Sequence, residues 1–345
     1  MATVVVTGAS SGVGYEACRQ LAALSTVGKI VVTCRTVEKG EATVAKLAAE
    51  SGGTCDNSSR FSYVVLDCAD RASVLAAVDA MPPKVDRLCL NAGTFGNGLH
   101  AESGCTEAFS VTLGHTLLVD GLLANGKIAE GARVLFVGGE LARTMRALTG
   151  LQIGAPDRGC CGCGRFGEKD LERAMTRPTC SCVPLRAQVQ TMSNGKIVGM
   201  LHFAAMARER PGIYWAVTSP GATVESNFAA NGKFPFACLA RHCGCLFTCL
   251  RVAHGVSDGG MRYVELLTED GIERRFPSGS MPMAGYDGCC CLWGARGSMV
   301  DNRPFAHYFG DEALQDQAAA AVRAKQAAWE QTAGTVVVKP QAMGR

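Results

Sequence analysis

The chain has 345 residues, 48% of them hydrophobic and 19% charged, which is enough apolar material for a large core and unlike the composition of a disordered segment. Its formal net charge of +3 is scattered along the sequence rather than gathered into a basic stripe, which argues against nucleic acid as a partner. No run of uncharged apolar residues is long enough for a membrane-spanning helix.

Met1-Ala2-Thr3-Val4-Val5-Val6-Thr7-Gly8 enters a strand at once, with no basic or apolar leader before it, so the chain is expected to be either mature or never exported. Short β-branched runs at 3–6, 30–34, 62–66, 87–90 and 134–137 alternate with Ala/Leu-rich amphipathic stretches at 14–24, 37–50, 72–79 and 107–123. That alternation predicts a Rossmann-type, doubly wound parallel sheet in a three-layer α/β/α domain spanning 1–335. Periodicity fades over about 140–186, a Gly/Cys/Arg-rich stretch that reads as an insertion before a helix at 188–208. A strand at 213–218 closes on Ser219-Pro220-Gly221, and a second irregular segment at 222–254 reads as a lid. Helices at 257–268 and 311–331 and a tail at 336–345 complete the chain.

Thr7-Gly8-Ala9-Ser10-Ser11-Gly12-Val13-Gly14 lies between the first strand and the first helix, where backbone N–H groups and the helix dipole can cradle a pyrophosphate. Gly8 suits the tight turn, Gly12 the close approach of phosphate, and Gly14 the packing of helix on strand. Arg35 stands at the end of the second strand, where an acidic residue would grip a ribose 2′-hydroxyl; a 2′-phosphate is therefore the expected ligand, and NADP(H) the expected cofactor. Asp67, after the third strand, is placed to cap the adenine amine, and Asn91-Ala92-Gly93, after the fourth, puts small residues where a ribose must approach.

Eighteen cysteines in a chain of this length and pattern are read mainly as free thiols. Cys18, Cys34, Cys55, Cys68, Cys89 and Cys105 are spaced singly, as small buried hydrophobes would be. The clusters Cys160, Cys161, Cys163 with Cys180 and Cys182, His242 with Cys243, Cys245 and Cys249, and Cys289-Cys290-Cys291 lack the C-x-x-C spacing of zinc knuckles, so no metal site is assigned.

Thr7 to Gly14, Asn91-Ala92-Gly93, Lys196 and Pro220-Gly221, in this order and spacing, resemble the short-chain dehydrogenase/reductase family across some 220 residues. Thr33-Cys34-Arg35, Leu113-Gly114-His115, the insertion before Lys196 and the tail running from Phe305 to Trp329 look like the light-dependent protochlorophyllide reductase branch. The resemblance implies that Gly8, Ser10, Ser11, Gly12, Val13, Gly14, Arg35, Asp67, Asn91, Ala92, Gly93, Lys196, Pro220 and Gly221 hold NADP(H). It also implies a Tyr, a Ser and an Asn that are missing here. Met192 stands at the Tyr position four residues before Lys196, Gly138-Gly139 follow the fifth strand where Ser is expected, and Val111 or Thr112 takes the Asn position. A thioether cannot donate a proton and glycine has no side chain to hold a carbonyl, so ordinary alcohol/ketone chemistry should fail.

Two functions follow as expectations. One is a catalytically impaired NADP(H)-binding protein with a structural or regulatory role, by resemblance a subunit of an organellar photosynthetic membrane complex. The other is an active NADPH-dependent reductase of a bulky, conjugated, apolar substrate, with its proton supplied by water or a cysteine. The resemblance implies a mature chloroplast chain, with the cytoplasm as the alternative. The apolar segment 234–250 is read first as buried core, with a substrate lid or a contact face for a membrane or a protein partner as the other readings. The same resemblance implies dimer-building helices around Lys196, which the insertion would obstruct.

Overall fold

A computed structural model describes residues 1–51, 57–96, 98–139, 168–177, 184–221, 223, 254–284, 298–303 and 308–332. The strands are β1 (Ala2–Val6), β2 (Val27–Cys34), β3 (Phe61–Val65), β4 (Val85–Leu90), β5 (Ile128–Val137) and β6 (Tyr214–Thr218), joined into one sheet of order β3-β2-β1-β4-β5-β6. Every pairing is parallel. This is a Rossmann-like α/β sheet with helices on both faces.

The strand sequences explain why both faces must be covered. Along β1, Val5 packs into one core while Val4 and Val6 pack into the other, and all three are fully buried. The Val5 face receives α3 (Arg71–Ala80), α4 (Glu107–Ala124), α5 (Glu168–Thr176), α6 (Pro184–Glu209) and α9 (Glu312–Thr332). The opposite face receives α1 (Gly12–Ala22), α2 (Val37–Glu50), α7 (Val256–Thr268) and the short α8 (Ile272–Arg275).

Scattered cations close the helix ends. Lys127 Nζ donates to the carbonyls of Val78, Asp79 and Met81 at 2.7 to 2.9 Å, capping α3. Arg60 donates to those of Ala22, Leu24 and Val27 just past α1, and Arg87 and Arg133 reach Leu267 and Glu269 at the end of α7. A positive charge at these C-termini meets both the orphan carbonyls and the negative end of the dipole.

Two features depart from the sequence expectation. Helix α5 forms inside 140–186, a segment expected to be irregular: the Leu171, Ala174 and Met175 spacing gives it a buried stripe against the α4–α6 face. A two-stranded antiparallel pair, β7 (Pro282–Ala284) with β8 (Met299–Asp301), was not legible because each strand has only three residues. The 222–254 lid, apart from Thr223 and His254, lies outside the described residues, as do the 234–250 contact segment, the clustered cysteines from Cys160 onward, Cys55 and the tail. The described cysteines Cys18, Cys34, Cys68, Cys89 and Cys105 are free and buried, as their spacing predicts.

Candidate dinucleotide site

Strand order reverses between β1 and β4, which opens a crevice at their C-terminal ends. Gly8 follows β1 and Asn91 follows β4, so the fold itself brings the two predicted loops together. Gly8 and Gly12 have φ of 63° and 62°, the left-handed region that side chains avoid. A Cβ on Gly8 would lie 2.8 Å from Ala92 Cα, and one on Gly14 would lie 2.5 Å from Asn91 Nδ2, so neither loop could approach the other with larger residues. Ser11 is the N-cap of α1, yet its side chain makes no capping bond among the described residues, and no acidic residue occupies the first turn. The N-terminal N–H groups and the positive end of the dipole therefore face outward beside exposed Ser10 and Ser11, with Val13 packed beneath.

Hydrogen bonds lock the crevice walls to each other. Asn91 Nδ2 donates to the carbonyls of Thr7 at 2.9 Å and Gly8 at 3.2 Å, and the Ala92 N–H donates to Thr7 Oγ1 at 2.9 Å. On the other side the Gly8 N–H donates to Thr33 Oγ1 and the Ala9 N–H to the Thr33 carbonyl, both at 3.2 Å. Arg35, just beyond β2, is exposed at the outer end of this wall. Asp67 is half-buried, and one of its carboxylate oxygens accepts from the Ala69 N–H at 3.0 Å, so the side chain is held in a local turn. Gly93 lies exposed beyond Ala92.

Lys196 comes to the same edge from α6. Its Nζ donates to the carbonyls of Val137 and Gly138 at the end of β5, both at 2.9 Å. Burial pushes its pKa down to about 8. The helix is set at this depth by small residues: a Cβ on Gly195 would lie 3.2 Å from the Phe109 N, and one on Gly199 2.6 Å from Thr112 Cγ2. Thr112 is thereby used in helix packing, and Val111 packs against the core, so neither offers an Asn-like amide. Met192, one turn before Lys196, is buried. The two glycines after β5 are not equivalent. A Cβ on Gly138 would lie 2.6 Å from Met200 Sδ, whereas one on Gly139 would meet, among the described residues, Lys196 Cδ at 3.5 Å, an ordinary contact distance.

Pro220 and Gly221 follow β6 on the same edge. Gly221 has φ of 87°, and a Cβ there would lie 2.5 Å from both Arg262 Nη1 and His254 Nε2. Arg262 donates to the Pro220 carbonyl and, at 3.3 Å, to His254 Nε2. Nε2 is then an acceptor, so the proton sits on Nδ1, which donates to the Gly255 carbonyl at 2.8 Å. Gly259 brings α7 against Pro220, Thr223 and Val13. Sequence reasoning missed His254 and Arg262, because a lone His and a lone Arg far along the chain carry no motif. Tyr214, at the start of β6, is a core residue: the ring is buried and its pKa is pushed up to about 12.

Residues 2–113 match the family model for short chain dehydrogenases. The (+)-neomenthol dehydrogenase of Capsicum annuum is 38% identical over 95 residues, covering 27% of this chain and 29% of that protein. The human dehydrogenase/reductase SDR family member 13 is 35% identical over 143 residues, covering 39% of this chain and 35% of the relative. The chain thus spans about a third of the length of the relatives it matches. A short chain dehydrogenase from Burkholderia cenocepacia, solved in complex with NADP, superposes with a TM-score of 0.53 at 20% identity, covering 82% of this chain and 95% of that one; it is alike in fold.

The glycine cradle, the open α1 terminus and the small Asn91-Ala92-Gly93 wall fit a dinucleotide. Gly8, Gly12 and Val13 would meet its pyrophosphate, Arg35 would lie beside its adenosine ribose, and Lys196 with Pro220-Gly221 would meet its far end. A reduced nicotinamide would supply a hydride there.

Proposed function

We propose that this protein is an NADP(H)-binding member of the short-chain dehydrogenase type whose carbonyl-protonating machinery is missing, so that it binds the dinucleotide without ordinary turnover and serves a structural or regulatory role. The observation that carries this reading is the pairing of Lys196, poised at the end of β5, with buried Met192 one turn away and a bare Gly139 beside it. The cation that would hold ribose hydroxyls is present; a side chain that would polarise and protonate a carbonyl is absent at both neighbouring positions. Preference for NADP(H) over NAD(H) rests on Arg35. The likeness to the protochlorophyllide reductase branch extends the proposal to a chloroplast setting, with 234–250 as the contact to a membrane or a protein partner.

One observation favours a second reading, an active NADPH-dependent reductase of a bulky conjugated substrate. An amine whose pKa is brought to about 8 by burial can give up a proton near neutral pH, so Lys196 itself could serve as the acid.

The two readings separate in one experiment. Purified protein is given NADPH with a panel of ketones and tetrapyrroles, in light and in darkness. The binding reading expects no NADPH consumption above background in wild type, and none on Lys196→Ala. Consumption that disappears in Lys196→Ala would establish the second reading and overturn the first.

A further inference from the structure

The Leu113-Gly114-His115 run has no role in the dinucleotide reading so far, yet it occupies the centre of the cradle. Helix α4 is buried on nearly every side, so its polar side chains must find partners inside the protein. Ser110 and Thr116 turn back onto their own helix, to the carbonyls of Thr106 at 3.1 Å and Thr112 at 3.2 Å. His115 does not. Its Nε2 lies 2.9 Å from Thr7 Oγ1, across 108 residues of sequence, in a contact that is wholly buried.

That hydroxyl is the same one that accepts the Ala92 N–H. Thr7 Oγ1 therefore stands between His115 and the Asn91-Ala92-Gly93 wall, one residue before the Gly8 turn. The His115 ring also sits edge-on to Phe136, with centroids 6.2 Å apart at 87°, and Phe136 immediately precedes the Val137 and Gly138 carbonyls that hold Lys196. Gly114 fixes how deeply the helix sits: a Cβ there would lie 1.8 Å from the Cys68 carbonyl oxygen, next to Asp67. One turn of α4 thus touches the loops after β1 and β3 and the end of β5. Burial, reinforced by the Lys196 charge, lowers the imidazole pKa to about 3 and keeps the ring neutral.

We infer that His115 is a positioning residue for the dinucleotide: by fixing the Thr7 hydroxyl it holds the Ala92 wall in register with the Gly8 turn, and its removal loosens the grip on NADP(H). The inference rests on the dinucleotide reading above. A purely packing role would be served equally by a ring of similar size without nitrogens. The positioning role would not, because the buried Thr7 hydroxyl would keep the Ala92 N–H but lose its bond to the imidazole.

The test compares NADPH dissociation constants, melting temperatures and amide exchange in the wild type, His115→Phe, His115→Gln, Thr7→Val, the double variant Thr7→Val/His115→Phe, and a control, His202→Phe. His202 is also a buried histidine, on α6, with neither ring nitrogen hydrogen-bonded among the described residues. Positioning predicts that His115→Phe weakens NADPH binding about tenfold, with faster exchange at the Ala92 amide before any nucleotide is added. His115→Gln recovers part of the loss, and His202→Phe leaves affinity unchanged. The double variant binds no more than about twofold worse than Thr7→Val, since that change already removes the shared hydroxyl. NADPH affinity within twofold of wild type in His115→Phe, or a double variant equal to the product of the two single effects, overturns the inference. Should His115→Phe fail to fold, His115→Gln decides: a melting temperature reduced without any change in affinity or Ala92 exchange assigns the residue to packing alone. A wild type that binds no NADP(H) removes the dinucleotide reading and this inference together; a wild type that binds, with variants that bind equally well, removes only this one.

Discussion

Burial holds the Lys196 ammonium pKa down to about 8, and the two β5 carbonyls it touches are acceptors that favour the charged form. Below that pH the group is a cation able to donate to ribose hydroxyls; above it, a neutral amine that donates less strongly. NADP(H) affinity is therefore expected to fall as pH rises through about 8, and Lys196→Met should abolish that step while binding more weakly throughout. A binding curve flat from pH 7 to 9 would remove Lys196 from the cofactor site. The sign for stability is the opposite. The folded pKa lies below the ordinary lysine value of about 10.4, so the unfolded chain holds the proton more tightly and stability rises as pH climbs from about 8 toward that value. The glycine loop, Asn91 and Lys196 were legible in the sequence because each belongs to a motif with fixed spacing. The His115–Thr7 and Arg262–His254 contacts were not, since single polar residues become partners only when distant helices dock.

At the scale of the elements, the sheet strands and the main helices fell within a few residues of where periodicity placed them, α6 starting at Pro184 rather than 188, and among the strands the largest slips are at the starts of β2 and β5. Both begin earlier than expected, β5 at Ile128 rather than 134, because its first residues, Ala129-Glu130-Gly131, carry no apolar pattern and join the sheet only through the shifted register opposite Val85 and Arg87. Helix α5 was hidden by the low-periodicity sequence around it. Part of the dispersed charge that argued against a nucleic-acid partner is structural. Lys127 satisfies three carbonyls at the end of α3, so Lys127→Met is expected to lower unfolding stability by about 2 kcal/mol. Urea denaturation measures it, and a loss below about 0.5 kcal/mol would show that water replaces the ammonium without cost.

For the molecule as a whole, three buried histidines set an acid limit. His115, His202 and His254 lie on α4, on α6 and just before α7, and burial lowers the pKa of each, to about 3 for the first two. His115 and His202 stay neutral in the folded state down to about pH 3, whereas the unfolded chain takes up protons on them below about pH 6.5; the lowered His254 pKa acts in the same direction. Stability should therefore fall as pH drops from about 6.5 toward 3, with a slope of about 1.4 kcal/mol per pH unit for each of His115 and His202. His202→Phe should flatten that slope by one histidine without affecting the cofactor; an unaltered slope would mean the ring already charges in the native state. Likeness to the short chain dehydrogenase family model covers the first third of the chain and fold likeness most of it. The central claim is that the cradle is intact although the groups for carbonyl chemistry are gone. Calorimetric titration of the wild type with NADPH and with NADH tests it most directly: NADPH should bind at one site per chain, at least about tenfold tighter than NADH, with the difference lost in Arg35→Ala. Absence of heat and of saturation with either nucleotide would contradict the account.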